Sequence, residues 1–490
     1  MSCVARLRSS IAATIAALAA CTALLAIPSG ASAAAPLQLG TADVGYVTAA
    51  GQRRQTLFNE TVAAKAGVVR LNAFWFRIAP DKRVKDLGLP AFQSDPNNPL
   101  SQKNPNNRFY YFGPLDAAVR DARARGLEVI ITVQRAPRFF EADDRPPEAR
   151  EGTWDPDREA FGRFAEAVAR RYSGTFDDPD DAAGTLPRVS LYQAWNEPNL
   201  SGYLTPQGQS GARSSIEIYR GLLNSAYAGI KRANPTNTVA AAGTAPLESS
   251  PGKRVGPETF WRKLLCLSTK LKPASCTQRA TFDIFDHHPI TLKDPREPGK
   301  GDSVRIADYP DLTRMLRAAE RLGTVLPAGR TRPLWASEIY WETNPPDKVS
   351  GLPPAKAARY LEEGIHMLYQ RNVRLILNFF MADSQVMVPG DPGETQGGLL
   401  FNDLRRKPSF TAFRFPFVSE RKSRRKVSVW GRSPVGGKLR IEQKRRGGWT
   451  TLRALRVRPR AVFTSRLRLK GKATLRARVG KNLSLPYKQK

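Results

Sequence analysis

The chain has 490 residues, is 41% hydrophobic, and carries 77 Lys and Arg against 44 Asp and Glu, a net charge of +33. That length allows about three domains or one large barrel with an appendage, and the apolar share excludes a disordered polyelectrolyte. The charge is uneven: residues 417–490 hold 24 Lys and Arg against only Glu420 and Glu442, so the larger part must be read without it.

At the amino terminus Arg6 and Arg8 precede an apolar run from Ile11 to Ile27, followed by Ala31, Ser32 and Ala33. This is the layout of a secretory signal over residues 1–33, which predicts removal of the segment and a secreted or cell-wall-associated protein. An uncleaved anchor and a lipidated Cys21, in Leu18-Ala19-Ala20-Cys21, are the alternatives, although the run only just reaches spanning length. No membrane association is expected once the signal is gone. Cys266 and Cys276 then remain, and their close spacing in an exported protein predicts a disulfide. Without a His cluster nearby, no metal is expected, and no cofactor motif is present.

Residues 37–416 alternate short β-branched runs with amphipathic stretches, the pattern of parallel strands joined by helical crossovers. The candidate strands are 37–44, 68–74, 127–133, 189–195, 238–243, 282–287, 333–338 and 373–380. Between the third and fourth, Phe161, Phe164, Ala165, Val168 and Tyr172 recur at helical spacing after Asp155-Pro156, which predicts an N-cap at Asp155 followed by proline. Residues 116–125 read as a helix stopped by Gly126. Eight such units fit an α/β fold of the (β/α)8 TIM-barrel type, with an open doubly wound sheet as the alternative. Insertions are expected at 90–107, 177–187 and 292–302. In the tail, apolar residues alternate with Arg or Lys, as at Leu439 and Ile441 or Leu475, Ala477 and Val479. That period predicts a small β-sandwich domain of about five strands over 417–490, with a basic outer face.

Active sites of such barrels lie at the carboxyl ends of the strands, and two candidate strands end in glutamate. Val189 to Trp195 runs into Asn196-Glu197-Pro198-Asn199, and Pro333 to Ser337 runs into Glu338. Cleaving a glycosidic bond calls for two carboxyls on opposite sides of one sugar, one to protonate the leaving oxygen and one to attack carbon. Trp75 and Trp341, at strand ends, are candidates for stacking on sugar faces or for the core.

Most of residues 37–416 resembles the secreted retaining glycoside hydrolases of clan A, of the cellulase-like family 5 and family 39 kind. Their Asn-Glu-Pro motif matches Asn196-Glu197-Pro198, which implies Glu197 as acid/base and Asn196 as ligand of the sugar 2-hydroxyl. Their seventh-strand pattern resembles Ser337-Glu338-Ile339-Tyr340-Trp341, with Ser in place of Thr, which implies Glu338 as nucleophile. Arg70 matches the arginine that keeps the nucleophile ionised, and His288 takes the family's sixth-strand position. The tyrosine expected two residues later is Ile290, so its hydrogen bond to the nucleophile is missing or comes from elsewhere, with Tyr340 the candidate. The eighth strand offers Phe379 and Phe380 where the family often has Trp, and Phe380 is an expected sugar platform.

The resulting expectation is a hydrolase cleaving O-glycosidic bonds of a β-linked oligo- or polysaccharide by double displacement, without a cofactor. A transglycosylase would use the same residues, and a non-catalytic carbohydrate-binding barrel at the cell surface is the rival from another class. The basic tail predicts attraction to anionic cell-wall polymers. It lacks a recognition-helix pattern and has few aromatic stacking candidates beyond Trp430 and Trp449, so no specific nucleic acid is expected.

Overall fold

The structure, a computed structural model, describes residues 36–87, 93, 95–178, 184–208, 210–384 and 395–489. The expected signal over residues 1–33, Cys21 included, lies outside the described residues.

Strands that are apolar on both faces must be covered on both, and a parallel sheet wrapped in its own crossover helices does this. The strands are β1 (Gln38–Ala42), β2 (Val68–Phe74), β3 (Glu128–Gln134), β4 (Leu191–Ala194), β5 (Thr238–Ala241), β6 (Phe285–Asp286), β7 (Leu334–Ile339) and β8 (Val373–Phe379). They form one eight-stranded sheet in the order β5-β4-β3-β2-β1-β8-β7-β6. Parallel bridges between Ala240 and Ile284 and between Thr244 and His287 bring its two edges together, giving the barrel rather than an open sheet. All eight expected strands are present, although β6 keeps only two residues in regular pairing. The barrel interior is plugged by Val68, Ile130, Ala240, Trp335, Leu375 and Leu377.

The main covering helices are α1 (Gly51–Ala63), α2 (Gly113–Ala124), α3 (Arg158–Arg171), α4 (Ser215–Ala233), α5 (Pro257–Leu264), α6 (Tyr309–Leu322) and α7 (Pro354–Gln370), with α8 (Pro408–Arg414) after the last strand. Helix α2 ends before Gly126, whose φ of +70° is the expected left-handed stop. The cap of α3 is not Asp155 but Asp157, whose carboxylate accepts from Ala160 N at 2.9 Å. Asp155 is held two residues earlier, where its N–H donates to Thr205 O at 2.8 Å and its side chain pairs with Arg158. Cys266 and Cys276, after α5, are joined by a disulfide with Cα atoms 5.7 Å apart.

From Phe417 onward the chain is antiparallel: β9 (Phe417–Arg421), β10 (Lys426–Arg432), β11 (Gly437–Arg445), β12 (Gly448–Val457), β13 (Val462–Arg468), β14 (Thr474–Val479), β15 (Asn482–Leu483) and β16 (Tyr487–Lys488). One sheet runs β9-β10-β13, the other β12-β11-β14-β15 with β16 beside β14. This exceeds the expected five strands because β12 is a largely exposed edge with a weak apolar period, and β15 and β16 are two residues each.

These sheets cover barrel core. Buried Arg432 donates to Leu37 O at 3.2 Å, Phe417 N to Glu362 Oε1 at 3.4 Å, and Tyr487 OH to Glu363 Oε1 at 2.8 Å. The His366 ring of α7 lies 4.8 Å from that of Trp430. Ending the chain after Pro416 is therefore expected to lower Tm by about 5 °C or more, through exposed aromatic core and unpaired buried groups. Thermal unfolding of truncated and full-length protein checks this, and equal Tm values would contradict it.

Candidate active site

Above the apolar plug, strands of the barrel send polar side chains inward, and these meet. Thr132 of β3 and Gln193 of β4 are register partners, and Thr132 Oγ1 donates to Gln193 Oε1 at 2.7 Å. Gln193 Nε2 donates to Asp286 Oδ2 of β6, and to Ser337 Oγ of β7 at 3.3 Å. Asp286 also accepts from Ser337 N at 3.0 Å and from the Ser337 hydroxyl. Arg70 of β2 reaches across this layer: its Nη1 lies 3.2 Å from Ser337 Oγ and 3.3 Å from His288 Nε2, while its Nη2 pairs with Glu338 Oε1. A buried carboxylate is costly unless paired, and here Arg70 supplies the partner.

His288 is fully buried between this layer and the two glutamates. Its Nε2 lies 2.9 Å from Ser337 Oγ and 3.3 Å from Arg70 Nη1. Nδ1 lies 3.0 Å from Glu197 Oε1 and 3.6 Å from Glu338 Oε2. Burial, the largest influence, holds the His288 pKa below its ordinary value against the opposing pull of Glu338 and Asp286, which favours the neutral ring. Gly243 makes room for it, since a Cβ there would overlap the imidazole.

Glu197 stands where β4 turns into its loop. Trp195 and Glu197 have φ of +74° and +40°, a left-handed backbone that is strained for side chains of this size and is characteristic of functional sites. The turn is fixed by Glu197 N donating to Gly243 O at 3.0 Å. Asn199 staples the loop, its Nδ2 donating to Ala245 O and Val255 O, both at 3.0 Å. Burial pushes Glu197 up to about 7, with Arg70 opposing. One oxygen each of Glu197 and Glu338 and a nitrogen of His288 all lie within 4.8 Å of one another. Among the described residues these three have the donor set for a cation, but the guanidinium of Arg70 on Glu338 places a fixed positive charge against one.

The glutamates open onto a cleft with two lobes that share Leu200, Tyr203 and Arg254. One lobe, ≈ 710 Å³, is lined by Glu197, Ile290, Tyr340 and Glu342; the other, ≈ 670 Å³, by Arg70, Asn196, Glu338 and Phe379. Asn196 Oδ1 and Gln134 Oε1 are buried acceptors without a partner among the described residues, suited to hydroxyl donors of a bound molecule.

Of the residues singled out from sequence, the structure brings Arg70, Asn196, Glu197, His288, Glu338 and Tyr340 together. Three others it places elsewhere. Trp75 is in the core, stacked on Phe140 at 4.7 Å and Phe164 at 5.5 Å, because the chain turns into the short helix Trp75–Ile78 and carries the ring behind the sheet. Trp341 is also buried, its Nε1 donating to Lys293 O at 2.9 Å and its ring against Gly364 of α7. Phe380 is 6% exposed behind Phe379, and it is Phe379 that lines the cleft. Tyr340 makes no hydrogen bond to Glu338 among the described residues; Arg70 provides that contact instead. Sequence reasoning missed Thr132, Gln193 and Asp286, whose signal was a polar residue at an inward position of an apolar strand. It also missed Tyr203, a loop residue with no such signal.

No protein-family model matches the chain, and no curated protein does. Solved structures do. A family 39 glycoside hydrolase from Bacteroides cellulosilyticus is similar over 89% of this chain and 81% of that one, at 16% identity and a TM-score of 0.54. A glucosidase from Croceicoccus marinus aligns over 89% and 94% at 13% identity and a TM-score of 0.49. A GH30 endoxylanase from Clostridium papyrosolvens aligns over 89% and 95% at 10% identity and a TM-score of 0.46. The first of these likenesses shows a shared fold, that of the barrels whose Asn-Glu-Pro motif Asn196-Glu197-Pro198 resembles.

Proposed function

We propose that the protein is an exported retaining glycoside hydrolase that cleaves O-glycosidic bonds of a β-linked oligo- or polysaccharide. The observation that carries this reading is the facing pair: carboxylate oxygens of Glu197 and Glu338 within 4.8 Å, at the floor of an open cleft. Retaining pairs stand about 5 to 5.5 Å apart, whereas inverting pairs need about 6.5 Å or more to admit a water. The β-linkage rests on the resemblance of the motifs to clan A.

In this reading Glu338, paired with Arg70, attacks the anomeric carbon while Glu197 passes its proton to the leaving oxygen. Water then attacks the same carbon, Glu197 takes its proton, and the bond to Glu338 breaks. A hydrogen bond between His288 Nδ1 and Glu197 Oε1, 3.0 Å apart, holds the Glu197 carboxyl in place. Proton NMR of the first-formed anomer tests the proposal: retention supports it and inversion overturns it.

A pH dependence follows. The acid must be protonated when the leaving group departs, and burial keeps Glu197 protonated up to about 7. Turnover of natural glycosides is expected to fall as pH rises through about 7, and Glu197→Gln to lose that alkaline limb on an activated aryl glycoside. If the limb persists in the variant, it belongs to another group.

The tail completes the proposal. Its 24 Lys and Arg against two Glu would hold the protein on anionic wall polymers, with retention that weakens as sodium chloride rises.

A further inference from the structure

The lobe of the cleft that contains Asn196 and Glu338 is lined by Arg77, Arg135, Arg150, Lys253 and Arg254 in addition to Arg70. Its only lining carboxylate is Glu338, which Arg70 already engages. Residues 37–416 as a whole are close to balanced, with 51 Lys and Arg against 42 Asp and Glu, so general basicity does not account for this wall. The other lobe mixes the signs, with Lys293, Lys300 and Arg305 beside Glu248 and Glu342. The imbalance is local to one side of the cleft.

None of the five cations forms an ion pair with a carboxylate among the described residues. Arg135 donates to the backbone carbonyls of Glu151 at 3.4 Å and Gly202 at 2.9 Å, and Arg254 to Glu248 O at 2.7 Å. Carbonyls fill donors but do not neutralise charge. Arg135 is the telling case. It follows directly on β3, at the carboxyl end of the barrel, with φ +60° and only 8% exposure. Burial and the neighbouring Arg150 disfavour its charge, against the weaker opposing pull of Tyr203 and Glu141, and hold it down at about 10. A guanidinium nearly buried, beside another and in no ion pair is costly to keep charged, and an anion arriving with a ligand would relieve that cost.

We propose that this lobe binds sugar residues bearing an anionic group, so that the substrate is an acidic glycan whose uronate carboxylates meet the guanidinium forks of the wall. Guanidinium matches a carboxylate bidentately, and a sulfate ester has the same charge and similar acceptors. The inference rests on the hydrolase reading above and adds its substrate class.

The test sets each polymer against a form that lacks one kind of anionic group. Reducing-end release by the full-length protein is measured on glucuronoxylan, hyaluronan and gellan beside their carboxyl-reduced counterparts, and on chondroitin sulfate beside its desulfated form. The expected result is kcat/KM at least about tenfold higher on an acidic polymer than on its reduced form at low salt, with the ratio shrinking as sodium chloride rises. Arg150→Gln with Lys253→Gln, both exposed, should lower kcat/KM on the acidic polymer at least about fivefold more than on the reduced one. Equal turnover of both forms, or equal losses in the double variant, would overturn the inference and leave the hydrolase reading standing. Preference for sulfated polymer alone keeps the anionic lobe but overturns the carboxylate as its source. If none of these polymers is cleaved, affinity electrophoresis in hyaluronan decides the lobe. Retardation weakened by the double variant supports it, whereas retardation the variant leaves unchanged belongs to the tail and overturns it.

Discussion

Replacing Glu338 by alanine is expected to abolish turnover on every glycoside, natural or activated, by at least about 10⁴-fold. In the double-displacement route both bonds to the anomeric carbon are exchanged through this carboxylate, so a better leaving group cannot compensate for its loss. The change also strips buried Arg70 of its carboxylate, a loss that can cost several kcal/mol of stability. Glu338→Gln keeps the shape and a hydrogen-bond acceptor for Arg70, and is expected to be as inactive while folding normally. Initial rates on a natural oligosaccharide and a dinitrophenyl glycoside, with circular dichroism of each variant, separate chemistry from folding. Folded Glu338→Gln with more than about 1% of the activity on either substrate would remove Glu338 from the nucleophile's role.

Glu197→Ala is expected to behave differently on the two substrates. General acid catalysis contributes about 10² to 10⁴-fold where the leaving oxygen is a poor leaving group, and a sugar alkoxide is one. A dinitrophenolate departs without a proton. The variant should therefore lose turnover on oligosaccharides by about 10³-fold while its glycosylation step on the dinitrophenyl glycoside survives. The proposed mechanism also has Glu197 activate the water, so in the variant the glycosyl-enzyme should accumulate and appear as a burst of phenolate. Equal losses on both substrates in the burst phase would mean that Glu197 does not protonate the leaving group.

The barrel was legible in the sequence because its strands are buried on both faces and read as apolar runs bounded by polar turns. Even β6, with two paired residues, lies within the expected strand 282–287. The glutamates were legible for a related reason: a carboxylate closing an apolar strand has no packing role. Trp75 and Trp341 could not be divided between cleft and core, and Phe380 was expected at the cleft where Phe379 stands, because an aromatic at a strand end has no fixed side once the chain leaves the strand. At Trp75 the backbone turns helical at once, and the ring goes to the core. The buried layer of Thr132, Gln193, Asp286 and Ser337 was out of reach, since its members come from four strands and their meeting depends on the stagger of the barrel. The cationic wall was equally hidden, because Arg77, Arg135, Arg150, Lys253 and Arg254 come from three segments, those that follow β2, β3 and β5.

Helix α7 connects the strand that bears Glu338 to β8, and its outer side is occupied by the tail through Glu362, Glu363 and His366. The tail is therefore not a passenger that can be moved from barrel to barrel; a graft would have to bring α7 and the amino-terminal edge at Leu37 with it. In mechanical terms, tension applied to the tail enters the barrel through the covalent link from α8, through α7 and through Leu37 beside β1. A protein anchored by its tail would carry part of that load on the helix that follows the strand bearing Glu338.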